Sequence, residues 1–176
     1  MKKLLFILLC LPLIGLGQDL NRLDEKAGFR DFKIGDSFSK WESELGLPDK
    51  NNRYVYLGNC CKELFGYPIK LIILRFEGEE NSILVEINIL TENFQNEECI
   101  WRDNDFEIIN GMLIKLFGRP TASNPKLGGG SMGWQWHGKK IGLTSIYEFL
   151  GTRIGDRQLI VITSKEFSDK ILDDEF

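Results

Sequence analysis

Histidine is almost missing from this chain: His137 is the only one among 176 residues. A triad of nucleophile, histidine and acid has a single position on which to be built. His137 stands in a strand-like stretch between Trp136 and Gly138, where alternation turns it away from the neighbouring tryptophans. The plain reading is a solvent-facing histidine. The same scarcity removes most zinc ligand sets, which draw on histidine as well as cysteine. Cysteine is sparse too, four residues in all, and no two form the C-x-x-C pair of a thiol oxidoreductase. No basic stripe of the kind a nucleic-acid binder needs is present. The acidic pairs Glu79–Glu80 and Glu97–Glu98 lie in polar stretches. They read as solvated loop charge rather than carboxylates held across a glycosidase cleft. "LGGGSMGW" (127–134) lacks the G-K-[S/T] ending of a phosphate-binding loop, and its glycines read as a mobile connector. No catalytic, metal-binding or cofactor-binding residue is therefore assigned, and the chain is not expected to be an enzyme.

What is present begins with a leader. "MKKLLFILLCLPLIGLGQD" has a basic start at Lys2 and Lys3, an apolar run from Leu4 to about Leu16, and small residues at Gly15 and Gly17. This is the pattern of a secretory signal peptide, residues 1–17, cleaved after Gly17. The run is well short of the roughly 20 residues a membrane-spanning helix needs, so no transmembrane span is expected after cleavage. Leu9 precedes Cys10 where a lipidation site places a small residue, so lipid anchoring is not expected. Without Lys2 and Lys3 the 22 basic residues fall to 20 against 26 acidic ones, a formal net charge of -6. The expected location is outside the cytoplasm, periplasmic or extracellular, where disulfides are permitted. Cys60, Cys61 and Cys99 remain in the mature chain. Joining adjacent cysteines strains the ring, so the expected bridge runs from Cys99 to Cys60 or Cys61.

Hydrophobic periodicity divides the rest into a lead-in (18–31), two α-β-β-β modules (32–98 and 99–166) and a polar tail (167–176). In the first module Phe38, Trp41 and Leu45 fall at helical spacing. Asp36 or Ser37 can cap that helix, and Gly46 and Pro48 end it. "RYVYL" (53–57), "IKLIILRFE" (69–77) and "ILVEINIL" (83–90) read as strands, the last two joined as a hairpin. In the second module Phe106, Ile109, Leu113 and Leu116 form the helix stripe, Asp103 or Asn104 the cap, and Gly118 and Pro120 the stop. Its strands are "GWQWHG" (133–138), "KIGLTSIYEF" (140–149) and "RQLIVITS" (157–164). Leu71, Ile87, Ile89 and Thr91 map onto Leu143, Leu159, Val161 and Thr163 at an offset of 72 residues, the offset that also relates Gly46 to Gly118. The expected class is α+β, two tandem modules with short helices on a mainly antiparallel sheet.

"IGDSFSKWESELGLP", with Gly35, Leu45, Gly46 and Pro48, followed by Tyr54 and Tyr56, resembles the opening of BamE/SmpA-like and beta-lactamase-inhibitor-protein-like small exported proteins. Phe117, Gly118 and Pro120, followed by Trp134 and Trp136, repeat the pattern, although Glu107 stands where the initial glycine belongs and Gly111-Met112 sits close to Gly118. The resemblance implies action through protein contacts, in envelope assembly or enzyme inhibition. The leading expectation is a non-catalytic protein-interaction or envelope-assembly module whose partner is another envelope or secreted protein. The alternative is a carrier of an apolar small molecule in a groove beside the sheet. Tyr54, Tyr56, Trp134 and Trp136 are the candidate interaction surface, since aromatic residues carry much interface energy; they serve cores equally well.

Overall fold

Every long strand of this chain has one strongly apolar face, and a single antiparallel sheet turns all of those faces to the same side. The computed structural model describes residues 20–78, 82–91, 103–127, 131–149 and 156–175. In chain order these are α1 (Leu20–Lys26), β1 (Gly28–Phe29), β2 (Phe32–Lys33), β3 (Arg53–Val55), β4 (Glu63–Leu64), β5 (Tyr67–Glu77), β6 (Ile83–Thr91), α2 (Asp103–Phe117), β7 (Ala122–Leu127), β8 (Ser131–His137), β9 (Ile141–Phe149), β10 (Asp156–Ser164) and α3 (Lys165–Glu175). β1 and β2 form a small ribbon of their own. The large sheet runs β3-β5-β6-β10-β9-β8-β7, with β4 also pairing with β5. The expected leader falls outside the described residues. Among the described residues no helix is long and apolar enough to cross a membrane.

This overturns the two separate α-β-β-β modules. β6 and β10 pair antiparallel from Leu90–Leu159 to Glu86–Thr163, so the sheet is continuous across the two halves. Two independent modules would each leave an apolar edge strand with unpaired N–H and C=O groups; joining the edges removes both liabilities. The offset of 72 residues also conflicts with the pleat. Ile87, Ile89 and Thr91 are fully buried on the helix-covered side, whereas Leu159, Val161 and Thr163 are only half-buried and alternate with the buried Ile160 and Ile162. A match that is out by one residue exchanges the two faces of a strand.

The first expected helix is also replaced. Residues 38–40 and 42–44 form two short 3-10 turns. Isolated bridges Ser37–Ile83 and Leu45–Tyr56 pin both ends of this segment to the sheet. A 3-10 turn rises about 2.0 Å per residue against about 1.5 Å for an α-helix, so it spans the fixed distance with fewer residues. Ser37 makes no capping bond. The Asp36 carboxylate instead accepts from the Lys33 N–H (3.0 Å), Lys40 Nζ (2.9 Å) and the Trp41 indole (3.2 Å). The apolar spacing still points the right way: Phe38 meets Tyr54 and Phe76, and Trp41 meets Phe32. Further elements depart from expectation. Residues 131–134, at the end of the stretch read as a connector, extend β8; Ala122–Leu127, given no element in the sequence reading, form the edge strand β7; and the tail read as polar contains most of α3.

Ile72, Leu74 and Phe76 of β5, Ile87 and Ile89 of β6, Ile160 and Ile162 of β10, Leu143 of β9 and Trp136 of β8 line the covered face. α2 packs on it through Ile109, Leu113 and Phe117, and Leu23, Phe32 and Trp41 close the other end. A polar ladder crosses this apolar layer. Thr91 Oγ1 accepts from the Gln158 N–H (3.0 Å), Gln158 Nε2 donates to Ser145 Oγ, and Ser145 Oγ donates to Asn110 Oδ1 of α2 (2.8 Å). α3 serves the reverse face. Arg75 alternates with the core residues Leu74 and Phe76, and its guanidinium lies 4.5 Å from the centre of the Phe167 ring. Beyond it the half-buried Leu71, Leu90, Leu159 and Ile146 form a row across four strands.

α1 is fastened by one carboxylate. Asp24 accepts from the N–H groups of Lys139 (2.8 Å), Lys140 (2.9 Å) and Ile141 (3.0 Å) in the β8–β9 turn. Gly138 admits it, since a β-carbon there would strike Asp24 Oδ1 and the Ile141 carbonyl. Partial burial pushes the Asp24 carboxyl up, but the three donated N–H groups and the Lys140 charge outweigh it and hold it below its ordinary value. A depressed folded-state value stabilises above the ordinary carboxylate range, and that stability is lost as pH falls through the depressed value. Asp24→Ala is expected to lower unfolding stability by about 1–2 kcal/mol at pH 7. The gap from wild type should narrow in acid. Urea unfolding at both pH values measures it; a gap independent of pH would show that the carboxylate charge is not what fastens α1.

Candidate functional site

The chemistry-bearing side chains gather at the edge of the sheet where β3, β4 and the β1–β2 ribbon meet. The ribbon turns at Arg30 (φ 51°), whose Nη2 donates to the Glu63 carbonyl of β4 at 2.9 Å. This holds the next residue, Asp31, against the loop 57–62. That loop is tied by the Leu57 N–H to the Glu44 carbonyl (2.8 Å) and turns back at Cys61, which also has a left-handed backbone (φ 64°). Left-handed non-glycine residues cost about 1–3 kcal/mol and persist where their surroundings hold them. One ligand atom from each of Asp31, Cys60 and Cys61 lies within 4.8 Å of the others. Cys61 is buried, Cys60 half-buried and Asp31 exposed. A cleft of about 410 Å³, lined by Cys60, Cys61, Tyr56, Lys62 and Ile69, opens beside the two thiols.

Tyr56 holds the cluster from behind. Its ring stands edge-on to Phe32 with centroids 4.9 Å apart. Its hydroxyl touches the Glu44 carboxylate and lies 3.3 Å from Cys60 Sγ. With one hydrogen to give, the hydroxyl donates to the carboxylate and accepts from the Cys60 thiol. Burial, followed by the contacts with Cys60 and Glu44, raises the Tyr56 phenol above its ordinary value. Burial likewise pushes the Cys61 thiol up to about 12, reinforced by the hydrogen bond with Cys60, while the Asp31 N–H pulls the other way. A thiol held neutral is a poor nucleophile. Gly58 completes the fit: a β-carbon there would collide with the Tyr56 hydroxyl and the Glu44 carboxylate.

Of the four aromatic residues expected at a surface, two are buried and two half-buried. Trp136 is 0 % exposed, and its indole N–H donates to the Gly118 carbonyl at 2.8 Å, at the end of α2. Tyr56 is 9 % exposed. Tyr54 and Trp134 are half-buried, packed on Phe38 and Phe76 and on Phe106 respectively. β3 and β8 are separated in the sheet by β5, β6, β10 and β9, so the tyrosine and tryptophan pairs do not share a surface. His137 is exposed. Cys60 and Cys61 are free thiols; Cys99, their expected partner, lies outside the described residues.

Sequence reading passed over Asp31 and the outer face of α2. Asp31 carries no local signal, because only the ribbon brings it to the cysteines. The α2 signal was legible: inside the helix, Ile108, Met112 and Ile114 lie off the core stripe. They are 41 %, 38 % and 39 % exposed and surround Gly111, where an added β-carbon would meet nothing within 4 Å. No family model matches the chain, and no curated protein or solved structure matches it significantly.

Two outcomes are expected. Iodoacetamide at pH 8 should label Cys60 in the folded protein, with Cys61 labelled only after unfolding, as read by peptide mass mapping. Equal labelling of the two would contradict the burial of Cys61. Trp136→Phe should cost about 1 kcal/mol through the lost indole bond, and Trp136→Ala about 3–5 kcal/mol, both measured by urea unfolding.

Proposed function

We propose that the chain is an exported, non-catalytic protein-interaction or envelope-assembly module that docks an envelope or secreted protein on the outer face of α2. The observation that carries this reading is a helix whose outer side carries exposed apolar residues beside the charged Glu107 and Lys115. Its inner face packs on the sheet through Phe106, Ile109, Leu113 and Phe117, and its outer face presents Ile108, Met112 and Ile114 around Gly111. Grouped exposed apolar side chains mark interaction sites. Gly111 gives a partner backbone a place of close approach. The export expectation rests on the leader pattern, and the resemblance to small exported interaction proteins supports the same class of role.

The cavities favour the carrier reading less than the α2 face favours docking. The recess lined by Leu64, Phe65, Leu113, Phe117, Leu143 and Ile160 measures about 220 Å³, below the roughly 300–1,000 Å³ of small-molecule pockets. A larger cleft of about 860 Å³ mixes Ile34, Ile83, Leu84, Val85 and Ile141 with Asp24, Lys139, Lys140, Lys165, Glu166 and Asp169, so a cargo there would lie against charged as well as apolar side chains.

A photo-crosslinking residue at position 112 should join a discrete partner in an envelope extract. Ile108→Lys/Met112→Lys should weaken capture of that partner on the order of 10-fold or more while the melting temperature is unchanged. Equal capture by the folded double variant would refute α2 as the docking face.

A further inference from the structure

We infer that Cys60, Cys61 and Asp31 form a binding site for a soft or borderline divalent cation of the zinc class, independent of the α2 face. The donor set is two thiols and a carboxylate. Thiolate sulfur selects zinc and softer ions over magnesium or calcium, which take oxygen ligands. Zinc binds sulfur at about 2.3 Å and carboxylate oxygen at about 2.0–2.2 Å in tetrahedral geometry. Donors around such an ion are then roughly 3.5–3.8 Å apart. The three donor atoms here already lie within 4.8 Å of one another, and the exposed Asp31 carboxylate is free to close the remainder by rotation. The cleft of about 410 Å³ leaves the fourth position to water or a small ligand.

The surroundings are built around these groups. Left-handed turns at Arg30 and Cys61 aim two separate segments at one point, and each turn is fixed by a bond to a neighbour. Adjacent cysteines cannot close on each other without strain, but both can reach one ion through a larger, relaxed ring. Each thiol gives up its proton on coordination, so uptake releases protons to solvent. Once Cys60 is a thiolate it becomes an acceptor, and the Tyr56 hydroxyl, 3.3 Å away, can turn its hydrogen from Glu44 to the sulfur. Lys62 at the rim of the cleft offsets the excess negative charge of two thiolates and a carboxylate around a divalent ion.

The test uses the full chain carrying Cys10→Ser and Cys99→Ser, so that Cys60 and Cys61 are its only thiols. The reduced protein is titrated with Co²⁺ and then with Zn²⁺. The expected result is a thiolate-to-cobalt charge-transfer band and tetrahedral visible bands that saturate at one ion per chain and vanish as zinc displaces cobalt. Further substitution Cys60→Ser or Cys61→Ser should abolish the charge-transfer spectrum of that complex. Asp31→Asn should weaken zinc on the order of 10–100-fold, the scale of losing a group that supports the metal, with circular dichroism unchanged. Absence of the band in the chain with both thiols overturns the proposal, and that arm does not depend on a substituted site folding. Saturation at one ion per two chains, or zinc affinity indifferent to Asp31→Asn, also overturns it. So does recovery of the natural chain from cells, after alkylation, with Cys60 or Cys61 already in a disulfide.

Discussion

The pairing of β6 with β10 is the constraint on which the rest of the molecule depends. It joins strands some 70 residues apart in sequence, a costly closure that must be repaid by burial on both sides of the seam. Ile87 and Ile89 meet Ile162 and Ile160 there, and no side chain of the four is more than slightly exposed. Apolar burial alone would tolerate a slipped register. The ladder from Thr91 through Gln158 and Ser145 to Asn110 would not, because a shift leaves several buried polar groups unpaired at about 1–3 kcal/mol each. The ladder therefore fixes two relationships at once: β6 against β10 and β9, and α2 against the sheet. Asn110 Nδ2 and Gln158 Oε1 have no partner in this network, so its gain lies in register rather than in raw stability.

With that frame set, the regular and irregular parts of the chain divide the work. β5, β6, β9 and β10 are long and evenly paired apart from two shifts between β5 and β6. Among the described residues, the positive-φ residues other than glycine, Ala27, Arg30, Asn52, Cys61 and Phe65, all fall between positions 27 and 65. That stretch wraps the β3–β4 edge of the sheet. An unprotected edge is a template for unwanted pairing, and the short β3 and β4, the ribbon and the 57–62 loop blunt it. The same crowding brings Asp31, Cys60, Cys61, Tyr56 and Glu44 together. Strain here accompanies a polar cluster, while α2 contains none of these left-handed residues.

What could be read from the sequence follows from how local each signal is. The alternation in "IKLIILRFE" and "RQLIVITS" and the stripe from Phe106 to Leu116 are complete within their own segments, and the corresponding strands and helix form there. The stretch from Phe38 to Leu45 carries an equally good helical spacing, yet its conformation is set by bridges to Tyr56 and Ile83 that no local pattern reports. β7 was hidden by Pro125, a residue tolerated only on an edge strand or at an irregularity; β7 is the edge, and its pairing with β8 shifts between Asn124 and Leu127. The polar character of "KEFSDKILDDE" hid α3, whose packing rests on Phe167. Adjacent cysteines were visible, but their carboxylate stands 29 residues before Cys60 and reaches it only through the ribbon.

The repeated glycine–proline phrase shows why a shared pattern need not mean a shared module. At Gly118 the backbone takes the left-handed conformation (φ 77°), its N–H bonds the Ile114 carbonyl at 2.8 Å, and α2 ends. At Gly46 only a short 3-10 turn precedes, and the N–H bonds the Val55 carbonyl across to β3 instead. The difference lies in what receives the turn. The Gly118 carbonyl accepts the Trp136 indole, so a buried strand residue caps the helix terminus and sets its position, while Asn110 sets its rotation about two turns earlier. Once both are fixed, Ile108, Met112 and Ile114 have no direction left but outward. Trp136, expected on an interaction surface, is instead buried and helps hold in place the helix whose other side is exposed.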